Sequence, residues 1–198
     1  MKIDDRLKKQ IEFILEIDKE KQIYRQTHIS GNSRYENDAE HAWHMAIMAY
    51  LLKEYSNNKI DIAKTMMMIL IHDIVEIDAG DTYAYDEVAL KTQKEREEKA
   101  SKRLFGLLPD DQREELTALF NEFEENITAE AKFAHAMDNF QPLLLNDFNN
   151  GLDWKEHNVS KSKVLTRQSR SKDGSQLIYD VSTDIVLNNV KKGNLKDD

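Results

Sequence analysis

The stretch Ile62-Ala-Lys-Thr-Met-Met-Met-Ile-Leu-Ile-His-Asp-Ile-Val-Glu76 decides how this chain is read. Ile62, Met66, Ile69, Asp73 and Glu76 recur at i, i+4, i+7, i+11 and i+14, the spacing of one helix face. Met66 to Ile71 is too apolar to lie against water, so the spacing predicts a helix enclosed by protein. Yet that helix runs straight into His72, Asp73 and Glu76. A carboxylate buried without compensation costs on the order of several kcal/mol or takes up a proton, so its partners must come from elsewhere in the chain.

Two other helices offer them. In the segment opening Asn37-Asp-Ala-Glu-His41, Asp38 reads as the N-cap, and His41, Met45, Met48 and Leu52 fall on one inward stripe. Further on, Ala134, Asp138 and Leu145 share a face, and Pro142 stands four residues after Asp138. Proline has no N–H for the Asp138 carbonyl, so a bend is expected there. Two imidazoles and two carboxylates on inward faces make an oxygen-and-nitrogen donor set suited to Mg, Mn, Co or Fe(II). With no cysteine in 198 residues, a thiolate zinc site and a disulfide framework are excluded.

Outward from these helices the same pattern continues. Helical periodicity covers about 5–22, 38–56, 60–77, 88–107, 110–125, 129–149 and 174–192. Six glycines and two prolines in 198 residues are about 4 %, against an average near 12 %, too few for many tight-turned strands. The expectation is an all-α chain in one compact domain, with a core at about 5–150 and an extension from about 151 to 198. Asn158 to Ser175, rich in Ser, Lys and Arg, reads as an exposed connection before a last helix. Lys91 to Lys99 mixes charge signs at i,i+4 spacing and reads as a solvated helix face.

The net charge of −9 argues against a surface that tracks polymeric nucleic acid. The longest apolar run, Met45 to Leu52, has eight residues, against roughly 18 for a membrane span. The start, Met-Lys-Ile-Asp-Asp-Arg, has no apolar region of a secretory signal, so a cytoplasmic protein is expected.

Three motifs together resemble those of the HD hydrolases: Arg34-Tyr-Glu-Asn-Asp-Ala-Glu-His41, His72-Asp-Ile-Val-Glu76 through Gly80-Asp81, and Lys132-Phe-Ala-His-Ala-Met-Asp138. The resemblance covers roughly residues 5 to 150. Within that superfamily the chain is similar to the small 5′-deoxynucleotidase group, all-helical metal-dependent phosphomonoesterases that often pair as homodimers. The resemblance implies that His41, His72, Asp73 and Asp138 ligate a divalent ion, with Mn, Co, Fe, Mg and Ni not distinguished. It makes Glu76 the acid/base carboxylate and Asp81 a second polar residue near the leaving group. Arg25 and Arg34 stand where the family supplies phosphate contacts. His44 is expected to order the ligands or line the pocket, His135 to lie in the core or behind the ligands, and His28, His157 and Asp78 to face solvent.

The expected reaction is hydrolysis of a small phosphomonoester, a nucleoside or deoxynucleoside 5′-monophosphate. One departure concerns the sugar: the group carries a Trp close after its N-terminal arginine, whereas Arg25 is followed by Gln26-Thr27-His28. Two relatives drop out, because Ile77 replaces the acid of a His-Asp-x-x-Glu-Asp motif and no Gly-Tyr-Pro tripeptide occurs. Two rival classes stay open: a helical interaction module with a structural metal, and a di-iron oxygen-activating protein that recruits His44 and Glu76. Leu177, Val181, Ile185 and Val190 on the last helix suggest the face of a homodimer.

Overall fold

The computed structural model describes residues 4–86 and 88–198; Met1 to Ile3, part of the start read for a targeting signal, lie outside them. Helix α1 (Asp5–Ile17) begins where the Asp4 side chain accepts from the Leu7 N–H at 2.7 Å. A 3-10 turn over Asp18–Gln22 follows, and then two short antiparallel strands, β1 (Tyr24–His28) and β2 (Tyr35–Asn37), which the periodicity did not predict. Their hairpin turns at Gly31 and Asn32, both at positive φ, a conformation that glycine and asparagine tolerate best.

Helix α2 (Asp38–Leu52) is capped by Asn37, not by Asp38. The Asn37 side chain accepts from the Glu40 N–H, and the Glu40 side chain reaches back to the Asn37 N–H, a reciprocal capping box. Asp38 is thereby pushed into the first turn and fully buried. Helix α3 (Ile62–Ile71) starts at Asp61, whose carboxylate accepts from the Ala63 and Lys64 N–H groups. It does not run on to Glu76. The chain tightens into a 3-10 turn over His72–Val75 before the short α4 (Glu76–Ala79), which turns both His72 and Asp73 toward the site.

Then come α5 (Leu90–Phe105), α6 (Asp110–Glu125), α7 (Ala129–Phe148, with Pro142 inside it), α8 (Leu152–Glu156), α9 (Lys161–Gln168) and α10 (Gln176–Lys191). Helix α7 is the axis of the molecule. Its Phe133, Ala134 and Met137 are wholly buried against Met45 and Ala49 of α2 and Met68 and Ile69 of α3. A second cluster joins Phe13, Ile71, Ile74, Val75, Leu104, Phe105 and Phe120 beneath the 3-10 turn. Burial of each large apolar side chain stabilises by roughly 1.5–3 kcal/mol, so the turn that carries His72 and Asp73 is anchored from below.

The Asn158–Ser175 segment is not an exposed connection. It contains α9 and a 3-10 turn over Ser169–Asp173, with Val164, Gln168 and Ser171 buried. Gly174 lies so close to α7 that a Cβ there would sit 2.2 Å from the Lys132 carbonyl oxygen. Ile178, Val186 and Leu195 belong to the same core cluster as α2, α3 and α7. Ile185 and Val190 also pack against that core, leaving Leu177 and Val181 exposed on α10. Among the described residues, no helix is long and apolar enough to cross a membrane.

Candidate metal centre

His41 from α2, His72 and Asp73 from the 3-10 turn, and Asp138 from α7 converge. One ligand atom from each of His41, His72 and Asp73 lies within 4.8 Å of the others, and His41 Nε2 is 3.3 Å from Asp138 Oδ1. The imidazoles are held from behind. The Ile69 carbonyl accepts from His72 Nδ1 at 2.7 Å, which presents Nε2 to the site. His41 Nδ1 donates to Gln141 Oε1 at 2.9 Å; that amide is oriented in turn because its Nε2 donates to the buried Glu36 carboxylate at 2.6 Å. His44 Nδ1 lies 3.1 Å from the same Gln141 Nε2, so His44 helps orient the amide.

This donor set fits a divalent cation. His72 Nε2 is buried with no hydrogen-bond partner among the described residues, and it sits 3.1 Å from Asp73 Oδ1. Burial works against a cation on His72, yet the neighbouring Asp73 outweighs burial and raises the imidazole to about 9: the site favours positive charge at this point. Burial likewise opposes charge on Asp73, but His72 and Arg25 overcome it and hold its carboxyl at about 2. At Asp138, the His41 hydrogen bond and the Arg167 charge outweigh burial and keep the carboxyl well below the usual range.

Beside the four lies a second acidic group, Asp38, Glu76 and Asp81, with one oxygen of each within 4.8 Å of the others. Arg25 from β1 stands between the two sets, its Nη1 2.9 Å from Asp73 Oδ2, 3.3 Å from Asp38 Oδ1 and 3.8 Å from Asp81 Oδ1. Burial first, and then the charges of Asp73 and Asp38, push the Glu76 carboxyl well above its ordinary value. Burial lifts Asp38 to about 7 and raises Asp81 as well. All of this opens into a cavity of about 630 Å³, lined by Arg25, Gln26, Asp73, Glu76, Asp81, Tyr83, Asp138 and Arg167 among others.

The structure thus brings together His41, His72, Asp73, Asp138, Glu76, Asp81 and Arg25. It leaves Arg34 out. That arginine is exposed and bound through both terminal nitrogens to Glu40, at 2.7 and 2.6 Å, because the capping box fixes a carboxylate within its reach. His28 does not face solvent: its Nδ1 is 2.5 Å from Asp153 and its N–H donates to the same carboxylate, tying β1 to α8. His157 packs its ring on Tyr83, His135 lies 2.9 Å from the Phe123 carbonyl, and Asp78 is paired with Arg103 at 2.7 Å.

Sequence reasoning missed Gln141, Glu36, Glu20 and Arg167. Gln141 follows Asp138 by three residues on α7, a spacing that held the clue. Arg167 carried no signal, since its segment reads as a loop.

The profile of the HD domain family matches residues 17–178. A solved structure described as "Predicted metal-dependent phosphohydrolase", from Magnetospirillum magnetotacticum, superposes with a TM-score of 0.93 at 48 % identity, covering 96 % of each chain. A conserved hypothetical protein from Pyrococcus furiosus, at 22 % identity and a TM-score of 0.58, shares the fold. Among curated proteins, human 5′-deoxynucleotidase HDDC2 is 35 % identical over 111 residues, 56 % of this chain and 53 % of its own. The 5′-deoxynucleotidase hdd1 of Schizosaccharomyces pombe is 30 % identical over 117 residues, 57 % of this chain and 58 % of its own. The chain thus spans little more than half the length of these curated relatives. With a His, a His-Asp pair and a distant Asp gathered from two helices and a 3-10 turn of the span that the profile matches, the chain belongs to the HD domain family.

Proposed function

We propose that the protein is a metal-dependent phosphomonoesterase acting on nucleoside or deoxynucleoside 5′-monophosphates. The observation that carries this reading is the buried Glu76 carboxyl, raised in pKa and lining the same cavity as His72, Asp73 and Asp138 of the donor set. A structural clip needs no such group, so its presence favours an enzyme over an interaction module.

His41, His72, Asp73 and Asp138 would hold a divalent ion, which when bound would supply Lewis-acid chemistry to the phosphoryl oxygens and to water. The oxygen-and-nitrogen donor set suits Mn, Co, Fe, Mg or Ni. Burial favours the protonated form of Glu76, which gives its proton to the leaving 5′-oxygen as the P–O bond breaks. The carboxylate so formed takes a proton back from the attacking water, whose oxygen makes the new bond to phosphorus. Asp81 and Arg25 flank that transfer, Arg25 fixing the carboxylates around it. Tyr83 and Tyr85 line the cavity and offer ring faces to a base, while Gln26 and Thr27 offer polar groups to a sugar. A cavity of about 630 Å³ is on the scale of a small-molecule site, which fits a mononucleotide.

We further propose a homodimer that pairs through α2 and not through α10. Trp43, Ile47, Tyr50 and Leu51, at i, i+4, i+7 and i+8, form an exposed apolar stripe on α2, next to Met67 and Leu70 of the α3 that packs beside it. A cytoplasmic location suits a nucleotide substrate. The test is to assay the metal-loaded protein against a panel of phosphomonoesters for phosphate release. Preferred release from nucleoside 5′-monophosphates supports the reading; no release from any phosphomonoester with any of the five metals contradicts it.

A further inference from the structure

Two neutral imidazoles and two carboxylates leave a divalent ion electrically balanced. A phosphomonoester is a dianion near neutral pH, its second pKa being about 6. Arg25 does not by itself offset that charge, since it already faces Asp73, Asp38 and Asp81. The missing positive charge comes from α9.

Arg167 lines the cavity, and its Nη2 lies 3.2 Å from Asp138 Oδ2, the oxygen opposite the one that faces His41 Nε2. The Arg167 side chain is 33 % exposed, so it is seated at the site but open to an incoming anion. Its planar fork carries more donors than this contact uses. Helix α9 is not free to drift: Val164 is buried in the core, and Gln168 Nε2 donates to the Asn139 carbonyl at 2.8 Å, one residue past Asp138. The register of α9 on α7 therefore sets Arg167 beside the ion position. Arg170 lines the same cavity from the following turn.

We propose that Arg167 is a substrate-binding residue that grips the phosphoryl oxygens of a dianionic phosphomonoester. The inference rests on the phosphomonoesterase reading. In the free protein Asp138 holds the guanidinium in place; on binding, the remaining N–H donors face the phosphate, whose geometry the fork matches. The C-terminal part of the chain thus completes the site built by the HD motifs.

The test is calorimetric titration of inorganic phosphate into the manganese-loaded protein, as wild type, Arg167→Gln, Arg167→Lys and Arg34→Gln, with manganese stoichiometry and thermal melting measured for each. Arg167→Gln should keep its manganese and melt normally while phosphate Kd rises at least about tenfold, the scale of a lost charge-assisted contact. Arg167→Lys should recover part of the loss, and Arg34→Gln should match wild type. With a phosphomonoester substrate, Arg167→Gln should raise KM more than it lowers kcat. Unchanged phosphate affinity in Arg167→Gln overturns the assignment. Loss of manganese in that variant overturns it too, by showing that the arginine serves Asp138. Wild type that hydrolyses phosphomonoesters yet binds phosphate no better than Arg167→Gln refutes Arg167 alone, whereas wild type that does neither refutes the phosphomonoesterase reading as well.

Discussion

The two walls of the cavity differ in charge and in how they are held. The wall made by the 3-10 turn and α4 is acidic and buried, with Asp73 at 8 % and Glu76 at 5 % exposure, and it rests on the cluster of Ile71, Ile74, Val75 and Phe105. The wall made by α9 and the turn after it is basic and open, with Arg167 partly and Arg170 largely in solvent. Charges buried in a low dielectric act strongly and need a fixed second layer, which the Ile69 carbonyl, Gln141 and Glu36 supply. Charges at the mouth act through water and tolerate motion. The acidic wall is therefore set before a ligand arrives, and the Arg167 side chain of the basic wall stays open to one. Substitutions on the first wall should have large effects and those on the second graded ones.

The largest effect on turnover short of losing the ion is expected at Glu76. Glu76→Gln removes the proton donor while keeping shape, so kcat should fall roughly a hundredfold or more with metal content unchanged; steady-state kinetics beside metal analysis checks this, and near-normal kcat would make Glu76 structural. The attachment of the basic wall can be broken without touching the site. In Gly174→Ala the new Cβ meets the Lys132 carbonyl, a clash with backbone that cannot rotate away. Overpacking of this kind costs about 1–3 kcal/mol, and at about 2–4 °C per kcal/mol thermal melting should show a lower Tm. Phosphate affinity should weaken with it if α9 is displaced.

Sugar choice tests the rim between the walls, where Gln26 and Thr27 stand in place of a bulky ring. The kcat/KM ratio of a 2′-deoxynucleoside monophosphate to its ribonucleotide should be under about tenfold, less than roughly 1.4 kcal/mol. A hundredfold deoxy preference would show that another side chain excludes the hydroxyl. The smallest effect concerns Glu20, buried behind the acidic wall with Oε1 unpartnered among the described residues. Burial, aided by Asp73 and Asp38, pushes its carboxyl from 4.5 up to about 8. The folded protein thus keeps a proton that the unfolded chain releases above 4.5, so this contribution to stability is full below that pH and is lost as pH rises toward 8. Glu20→Gln should raise Tm at pH 8 by a few degrees and leave it nearly unchanged at pH 5; equal Tm at both would show that Glu20 is ionised in the fold.

The acidic wall was legible because His41, His72, Asp73, Glu76 and Asp138 interrupt apolar stripes in the order that the HD motifs share. The basic wall was not. Arg167 belongs to a helix of eight residues that is positioned by Gln168, Ser171 and Gly174, contacts that leave no periodic trace in a Ser- and Lys-rich segment. The β1–β2 hairpin escaped for a similar reason, being short and polar, although Gly31-Asn32 marked its turn. Asp38 was misplaced by one residue because Asn37 and Asp38 both favour caps, and only the Glu40 partner decides between them. Arg34 stood in the right motif, but Glu40 holds it outside the cavity.

The central claim is that His41, His72, Asp73 and Asp138 hold one divalent ion. Elemental analysis of the purified wild type, His72→Ala and Asp138→Ala after equal exposure to manganese tests it most directly. One tightly held ion per chain in wild type and its loss in both variants is the expected result, since removing a ligand also strands the remaining donors without a partner. Stoichiometric metal retained in both variants would contradict the assignment.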